Sequence, residues 1–121
     1  MITGIGTDIV EVSRIERALE RTERFAARVF TPAERDYCLA GSSPAQRFAG
    51  RFAAKEAAAK ALGISLSWQD MEILADECGK PVVRFLNGAE ALTGMRKVMV
   101  SISHCRSYAL AYAVAVSDEG S

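Results

Sequence analysis

The stretch SPAQRFAGRFAAKEAAAKALG, residues 43–63, decides how this chain folds. Ser43 and Pro44 are typical of a helix N-terminus, where a hydroxyl caps the first turn and proline fits the geometry of that turn. Alanine, the strongest helix former, fills the interior, and Gly63 follows as a C-terminal stop. The stretch predicts one long helix over residues 45–62, and its small side chains leave room for another element to approach closely.

The segments on either side of this helix predict a mixture of helices and strands. Upstream, Thr31, Pro32 and Glu34 indicate a helix that begins with a capping box. Downstream, the hydrophobic period changes from about 3.6 to 2 residues. Upstream of the long helix, the sequence predicts a strand interrupted by two glycines at 2–10 and a helix at 13–30. Downstream, it predicts strands at 71–74 and 82–86 around a turn at 78–81, and a short helix capped by Asn87 that runs through residue 92. The last predicted element is a hairpin of strands 98–104 and 108–116. Without regular alternation of the two types, the class is α+β in a single domain, 1–121.

The composition is that of a neutral chain with unpaired cysteines. Half of the 121 residues are hydrophobic and the formal net charge is zero, which argues against bulk attraction to nucleic acid as the main role. Cys38, Cys78 and Cys105 are odd in number and form no CxxC pair, so they favour a reducing cytosol over a disulfide framework or a zinc site. No segment approaches the roughly 20 apolar residues of a membrane span, and the N-terminus lacks the basic region of a signal peptide. We therefore expect a soluble cytoplasmic protein.

Asp8 is the first candidate for chemistry, because it lies inside the apolar run 5–12. The preceding glycines, Gly4 and Gly6, do not form a dinucleotide fingerprint, since Ile9 stands where the third glycine should be. They favour a bulge or close backbone packing instead. A carboxylate is costly to bury unless it is paired, hydrogen-bonded or bound to a metal. The residues alone leave open a metal or catalytic role and a local cap or turn.

Two further segments carry polar side chains whose roles stay open. Glu56 and Lys60 are four residues apart on the long helix, in the favoured order for an ion pair worth only a few tenths of a kcal/mol. They are either a solvated pair or part of a site. His104 is the only histidine, which excludes a multi-histidine metal site. It is either structural or, with Ser103 and Arg106 beside it, a ligand of a phosphate.

Five arginines form a stripe on the predicted helix 13–30. They are Arg14, Arg17, Arg21, Arg24 and Arg28. On one helix they would fall within an arc of roughly 80°, with Glu16, Glu20 and Glu23 nearly opposite. A stripe of one sign favours an acidic partner. An acidic protein helix fits better than nucleic acid, because interleaved aromatic residues are absent.

Five segments, taken in order, carry a family resemblance. They are residues 4–11 (GIGTDIVE), 51–63 (RFAAKEAAAKALG), 68–73 (WQDMEI), 79–81 (GKP) and 101–104 (SISH) with 108–109 (YA). The set resembles the holo-acyl-carrier-protein synthase family, the small trimeric group of 4′-phosphopantetheinyl transferases, almost from end to end. The resemblance implies the 4′-phosphopantetheinyl transferase fold, an antiparallel sheet with one long central helix and further helices.

The resemblance also implies a reaction and a site. Asp8 and Glu56 would bind Mg²⁺ together with the pyrophosphate of coenzyme A, and Lys60 would hold that pyrophosphate. A serine of apo acyl carrier protein would attack the β-phosphate and release adenosine 3′,5′-bisphosphate, in fatty acid biosynthesis. The serine proton would go to Glu56 or to a water on the metal. The residues implied for the nucleotide end of coenzyme A are Gly79, Lys80, Pro81, Ser103 and His104.

The resemblance assigns a partner and an assembly as well. Arg14, Arg21, Arg24 and Arg28 would dock the acidic helix of the carrier protein. The family forms homotrimers with active sites between subunits, and strand 108–116 agrees with this because it is apolar on both faces and expected to be buried on both. Cys105 stands where the family usually has threonine or aspartate. Two rival functions stay open, a non-catalytic binding module and an Mg²⁺-dependent phosphohydrolase.

Overall fold

Two antiparallel sheets lie against one long helix. The computed structural model describes residues 1–118. Its strands are β1 Ile2–Glu11, β2 Met71–Ala75, β3 Pro81–Phe85, β4 Lys97–His104 and β5 Tyr108–Val116. Its α-helices are α1 Val12–Arg21, α2 Glu23–Val29, α3 Pro32–Leu39 and α4 Pro44–Leu62. Two 3-10 helices cover Trp68–Asp70 and Ala89–Thr93. One sheet has the order β1-β5-β4 and the other pairs β2 with β3. The predicted α+β class and the predicted hairpin of β4 and β5 are confirmed.

The ends of the helices confirm the capping box of α3 and the C-terminal stop of α4. Gly63 adopts the left-handed conformation with φ 69° and donates its N–H to the carbonyls of Ala59 and Lys60, which ends α4. Thr31 and Glu34 form the predicted capping box of α3. Ser43 and Pro44 begin α4 at the predicted N-cap and first-turn positions, but the Ser43 side chain makes no capping hydrogen bond among the described residues.

Close packing between α4 and β1 explains the glycines of the first strand. α4 lies across β1, β5 and β4. A Cβ added at Gly4 would overlap the carbonyl oxygen of Ala61, and one at Gly6 would overlap that of Ala57. The register between β1 and β5 also shifts between Ile2 and Gly4. Of the two alternatives predicted for the glycines, close backbone packing is confirmed, and the register shift is an irregularity at the first glycine only. The buried alanines of this contact are Ala53, Ala54, Ala57, Ala58 and Ala61 of α4 and Ala109, Ala111, Ala113 and Ala115 of β5.

The predicted single helix over residues 13–30 is wrong. Thr22 is extended, with φ −157° and ψ 139°, and separates α1 from α2. Its hydroxyl oxygen accepts the backbone N–H of Arg24 at 3.1 Å, so threonine acts here as an N-cap rather than as a helix interior residue. Arg24 and Arg28 consequently lie on a different helix from Arg21, and the five arginines do not share one arc.

The predicted cap at Asn87 is also wrong. Asn87 has a positive φ of 57° and Gly88, with φ 79°, precedes the 3-10 helix. The Asn87 amide instead donates to the carbonyl of Gln69 at 3.2 Å. Asparagine tolerates the left-handed conformation that this turn requires.

The outer face of the three-stranded sheet is apolar and open in a single chain. β5 lies in the middle of this sheet, and its alanines are buried against α4. Tyr108 and Tyr112 on the other face are exposed, as are Ile5 and Ile9 of β1. Within one chain β5 is thus buried on one face only, and the predicted burial of both faces is not seen. None of the helices formed by residues 1–118 has the length and apolar character needed to cross a membrane.

Candidate active site

Asp8 and Lys60 meet where β1 crosses α4. Gly6 lets the strand approach the helix, and Asp8 follows two residues later on the same face. The Lys60 Nζ lies 3.4 Å from the Asp8 Oδ1 and donates to the Thr7 carbonyl at 3.0 Å. The Asp8 side chain is 17% exposed and that of Lys60 is 55% exposed, so the pair is open to a ligand from solvent. Lys60 therefore forms its ion pair with Asp8 and not the expected pair with Glu56.

A cavity of about 250 Å³ brings Asp8 and Glu56 together. Arg14, at the start of α1, lines the same cavity, and Phe25 and Phe52 form its aromatic wall. The fold thus gathers two carboxylates and a guanidinium from β1, α4 and α1 around one space. The aromatic residues were missed in the sequence, because a phenylalanine at helical spacing is indistinguishable from an ordinary core residue.

The donor set of this cavity fits a hard divalent cation. Asp8 and Glu56 supply carboxylate oxygens, which Mg²⁺ prefers, and Mg²⁺ usually takes one or two protein carboxylates and completes its shell with phosphate and water. Among residues 1–118, no group of three or more His, Cys, Asp or Glu side chains is placed to enclose a metal. The site is therefore suited to a cation shared with a phosphorylated substrate and unsuited to a closed structural metal site.

The predicted GKP segment forms a tight turn beside a second cavity. Gly79 has φ 82°, and the Asp76 Oδ1 accepts the backbone N–H groups of Cys78 and Lys80, both at 2.9 Å. Lys80 and Pro81 line a cavity of about 690 Å³ whose further basic residues are Arg84, Arg96 and Lys97. Asp8, Glu56 and Lys60 are not among its lining residues. Asp76 was missed in the sequence, although an Asp three residues before a glycine is a signal for such a turn.

Ser103 lies on the opposite face of the sheet from Asp8. Asp8 pairs with Ala111 on the face covered by α4, whereas Ser103 pairs with Leu110, and Leu110 with Ile9, on the outer face. Successive side chains of a strand point to opposite faces. A single chain therefore does not bring Ser103 to the Asp8 cavity.

His104 and Cys105 lie at the exposed end of β4, and both are open to solvent. Backbone N–H groups of Tyr108 and Ser107 donate to the Cys105 sulfur and lower the pKa of this thiol below its ordinary value. In contrast, burial raises the pKa of Cys38 to about 12. The two thiols therefore differ strongly in their fraction of reactive thiolate.

A buried ion pair anchors α4 beside Glu56. The Lys55 Nζ lies 2.6 Å from the Glu34 Oε1, and both side chains are almost fully buried. Lys55 also donates to the carbonyls of Val29 and Trp68, each at 2.8 Å. Burial lowers the pKa of Lys55, and the Glu34 carboxylate opposes that shift. The sequence predicted Glu34 only as part of the capping box and did not single out Lys55, because only the tertiary structure shows that this lysine points inward.

The predicted docking arginines all lie on the surface. Arg14, Arg21, Arg24 and Arg28 are exposed, and none takes part in the ion pairs found within residues 1–118. Arg14 connects this surface to the cavity of Asp8 and Glu56, since it lines that cavity. The break at Thr22 divides the surface between α1 and α2.

The fold is that of a known group of transferases. The family model of the 4′-phosphopantetheinyl transferase superfamily matches residues 4–113, and the chain belongs to this family. Its curated relatives include the holo-[acyl-carrier-protein] synthases of Moorella thermoacetica, 50% identical over 95% of this chain and 97% of that protein, and of Chlamydia pneumoniae, 46% identical over 96% and 98%. The resemblance read from the five segments is thereby confirmed.

Solved structures agree with this assignment. The holo-[acyl-carrier-protein] synthase of Neisseria meningitidis superposes with a TM-score of 0.87 at 36% identity, over 97% of this chain and all of the other. The synthase of Bacillus anthracis in complex with CoA (3′,5′-ADP) superposes with a TM-score of 0.81 at 38% identity, over 98% and 99%. The predicted transferase fold is confirmed.

Proposed function

We propose that this chain is a holo-[acyl-carrier-protein] synthase, which transfers 4′-phosphopantetheine from coenzyme A to a serine of apo acyl carrier protein. The observation that carries the proposal is the cavity shared by Asp8 and Glu56, with Lys60 bound to Asp8 at its edge. Relatives with that name align with this chain over almost their full length, and the solved structure of the Bacillus anthracis synthase is a complex with CoA (3′,5′-ADP).

The residues of the cavity support a direct displacement at phosphorus. The serine oxygen forms a bond to the β-phosphorus of coenzyme A, the bridging P–O bond breaks, and its electron pair leaves with adenosine 3′,5′-bisphosphate. Asp8 and Glu56 would hold Mg²⁺, which when bound stabilises the negative charge that develops on the pyrophosphate. Lys60 places an ammonium group at the same edge, and Glu56 lies within the cavity to accept the serine proton.

The decisive experiment is the intact mass of an apo fatty-acid acyl carrier protein after incubation with the protein, coenzyme A and Mg²⁺. We expect a gain of one phosphopantetheine, lost on chelation and in Asp8→Ala. Asp36→Ala, an exposed carboxylate on α3, is the matched control and should keep the activity. Unchanged carrier with intact coenzyme A would favour a binding module, and unchanged carrier with cleaved coenzyme A would favour a phosphohydrolase.

For the nucleotide end, we propose that Gly79, Lys80 and Pro81 bind coenzyme A together with Ser103 and His104. The cavity beside Lys80 supports this, because its excess of basic side chains suits phosphate groups. Since Ser103 faces away from Asp8 within one chain, we propose that it serves the site of a neighbouring copy, and that the exposed His104 beside it at the end of β4 does so too. The assembly would then be a homotrimer with active sites between subunits.

The open sheet face supports such an assembly. Ile5, Ile9 and Tyr112 are 73%, 63% and 58% exposed, and they form a contiguous apolar surface of the kind that marks protein interfaces. Ile5→Asp should convert the trimer to monomers in sedimentation velocity, whereas Leu92→Asp, at an equally exposed leucine away from this face, should not. Mixing Asp8→Ala with His104→Ala subunits should restore activity only if sites are shared between copies.

The remaining parts of the proposal concern partner and location. Exposed arginines on α1 and α2 suit the acidic helix of a carrier protein of fatty acid biosynthesis. The chain's zero formal charge gives no support for nucleic acid as a partner. Three free cysteines suit the cytoplasm, where thiols stay reduced.

A further inference from the structure

The C-terminal end of α2 is capped by side chains from elsewhere in the chain. The last four carbonyls of any α-helix lack partners within the helix. In α2 these belong to Ala26, Ala27, Arg28 and Val29. The first accepts the backbone N–H of Phe30 at 3.0 Å. The other three are bound by two side chains distant in sequence.

Gln69 supplies most of this cap. Its Nε2 lies 2.9 Å from the Ala27 carbonyl oxygen, 3.2 Å from that of Arg28 and 3.0 Å from that of Phe30. An amide NH₂ has two hydrogens, so the three contacts share them. Lys55 takes the remaining carbonyl, that of Val29, at 2.8 Å. Every orphan carbonyl of α2 is therefore satisfied.

Gln69 is itself held against α4, the helix that carries Glu56. It lies in the 3-10 helix Trp68–Asp70, and the Trp68 ring stacks on Phe52 of α4 with the ring centroids 5.1 Å apart. The carbonyl of Trp68 accepts a hydrogen bond from Lys55, the neighbour of Glu56 in sequence. The amide of Asn87 donates to the Gln69 carbonyl. The cap thus connects the end of α2 to the helix that carries Glu56.

α2 needs such a connection, because seven residues are too few for a helix that is stable alone. This helix presents Arg24 and Arg28. We propose that Gln69 is a positioning residue for carrier-protein recognition: it sets the orientation of α2 so that these arginines hold the carrier while its serine reaches the cavity of Asp8 and Glu56. The inference rests on the proposed function.

Gln69→Glu tests the inference, since it keeps the shape of the side chain and replaces the donor by a carboxylate that repels carbonyl oxygens. We expect the KM for apo carrier protein to rise about tenfold, the effect of one lost hydrogen bond. The kcat at saturating carrier and the KM for coenzyme A should change less than about twofold. Amide hydrogen exchange should accelerate in α2 and not in α4. Adding Arg24→Ala to Gln69→Glu should raise the carrier KM by less than the product of the single effects.

A destabilising control separates positioning from general loss of stability. Leu62→Ala removes a buried apolar side chain at the C-terminal end of α4 and should lower the melting temperature without changing the carrier KM. The inference is overturned if Gln69→Glu leaves the carrier KM unchanged, or if it shifts both KM values and kcat together. Absence of transfer by the unmodified protein would instead overturn the proposed function, while hydrogen exchange in α2 would still test the cap.

Discussion

Gly6 of β1 lies directly against the backbone of Ala57 in α4, and a Cβ at Gly6 would overlap the Ala57 carbonyl oxygen. The same Cβ would lie only 2.8 Å from the Ala61 nitrogen and 2.9 Å from the Lys60 Cβ. These backbone atoms of α4 cannot move away without shifting the strand or the helix. This contact sets the depth of β1 on α4 and thereby the distance between Asp8 and Lys60.

Gly6→Ala should destabilise the protein by about 3 kcal/mol, at the upper end for overpacking, and should abolish transfer. Urea unfolding and the carrier-mass assay measure the two effects. Gly50→Ala is the control: its Cβ would meet only the side chain of Ile102, at 3.0 Å, and alanine favours a helix interior. Equal stability of Gly6→Ala and the unmodified protein would contradict this account of the contact.

Lys60→Met should lower kcat about 100-fold, the typical cost of removing one stabilising group from developing charge. The reason is that Lys60 provides the cation next to Asp8. Steady-state kinetics at saturating coenzyme A measure the loss. Lys60→Arg keeps the charge and should retain more activity than the methionine variant. A kcat unchanged in Lys60→Met would exclude a catalytic role.

Arg21→Glu should raise the KM for the carrier protein about tenfold while leaving that for coenzyme A unchanged, because Arg21 is exposed at the end of α1 and under the proposed function would contact an acidic partner. The difference should shrink as the salt concentration rises. Arg35→Glu makes the same charge change on α3 and should have a smaller effect. If both variants behave alike, net charge alone explains the result and the arginine surface is not a docking site.

Lys55→Met should destabilise the protein by about 3–5 kcal/mol, because it leaves the Glu34 carboxylate buried without its cation. Urea unfolding measures the change. Arg84→Met breaks the more exposed pair with Glu72, whose atoms are 3.8 Å apart, and should cost less than about 1 kcal/mol. Similar losses in the two variants would show that burial of the Lys55 pair is unimportant.

The three cysteines should react with iodoacetamide in a defined order, Cys105 first and Cys38 last. Cys105 is exposed and its pKa is lowered by backbone N–H donors. The pH at which its alkylation rate is half-maximal should therefore lie below that of an ordinary thiol. The buried Cys38, with a pKa of about 12, should react only on unfolding. Peptide mass spectrometry over a pH series gives the order. Early modification of Cys38 in the folded protein would contradict its burial.

Much of the fold followed from local patterns in the sequence. The alanine-rich helix α4, the capping box of Thr31 and the hairpin of β4 and β5 depend on propensities and hydrogen bonds between near neighbours. The break at Thr22 did not follow, because a threonine within a helical period fits a helix interior as well as an N-cap. Asn87 failed for a similar reason, since its amide found a partner 18 residues away.

By itself, the sequence determined the identity of the candidate site residues, because Asp8 and the helix of Glu56 and Lys60 lie in segments shared with a known family. Only the tertiary structure decided how they are arranged: that Lys60 pairs with Asp8 and not with Glu56, that Ser103 faces away from Asp8, and that Gln69 caps α2. Composition and periodicity describe neighbours along the chain. These contacts depend instead on how closely β1, which has no side chains at Gly4 and Gly6, packs against the small residues of α4.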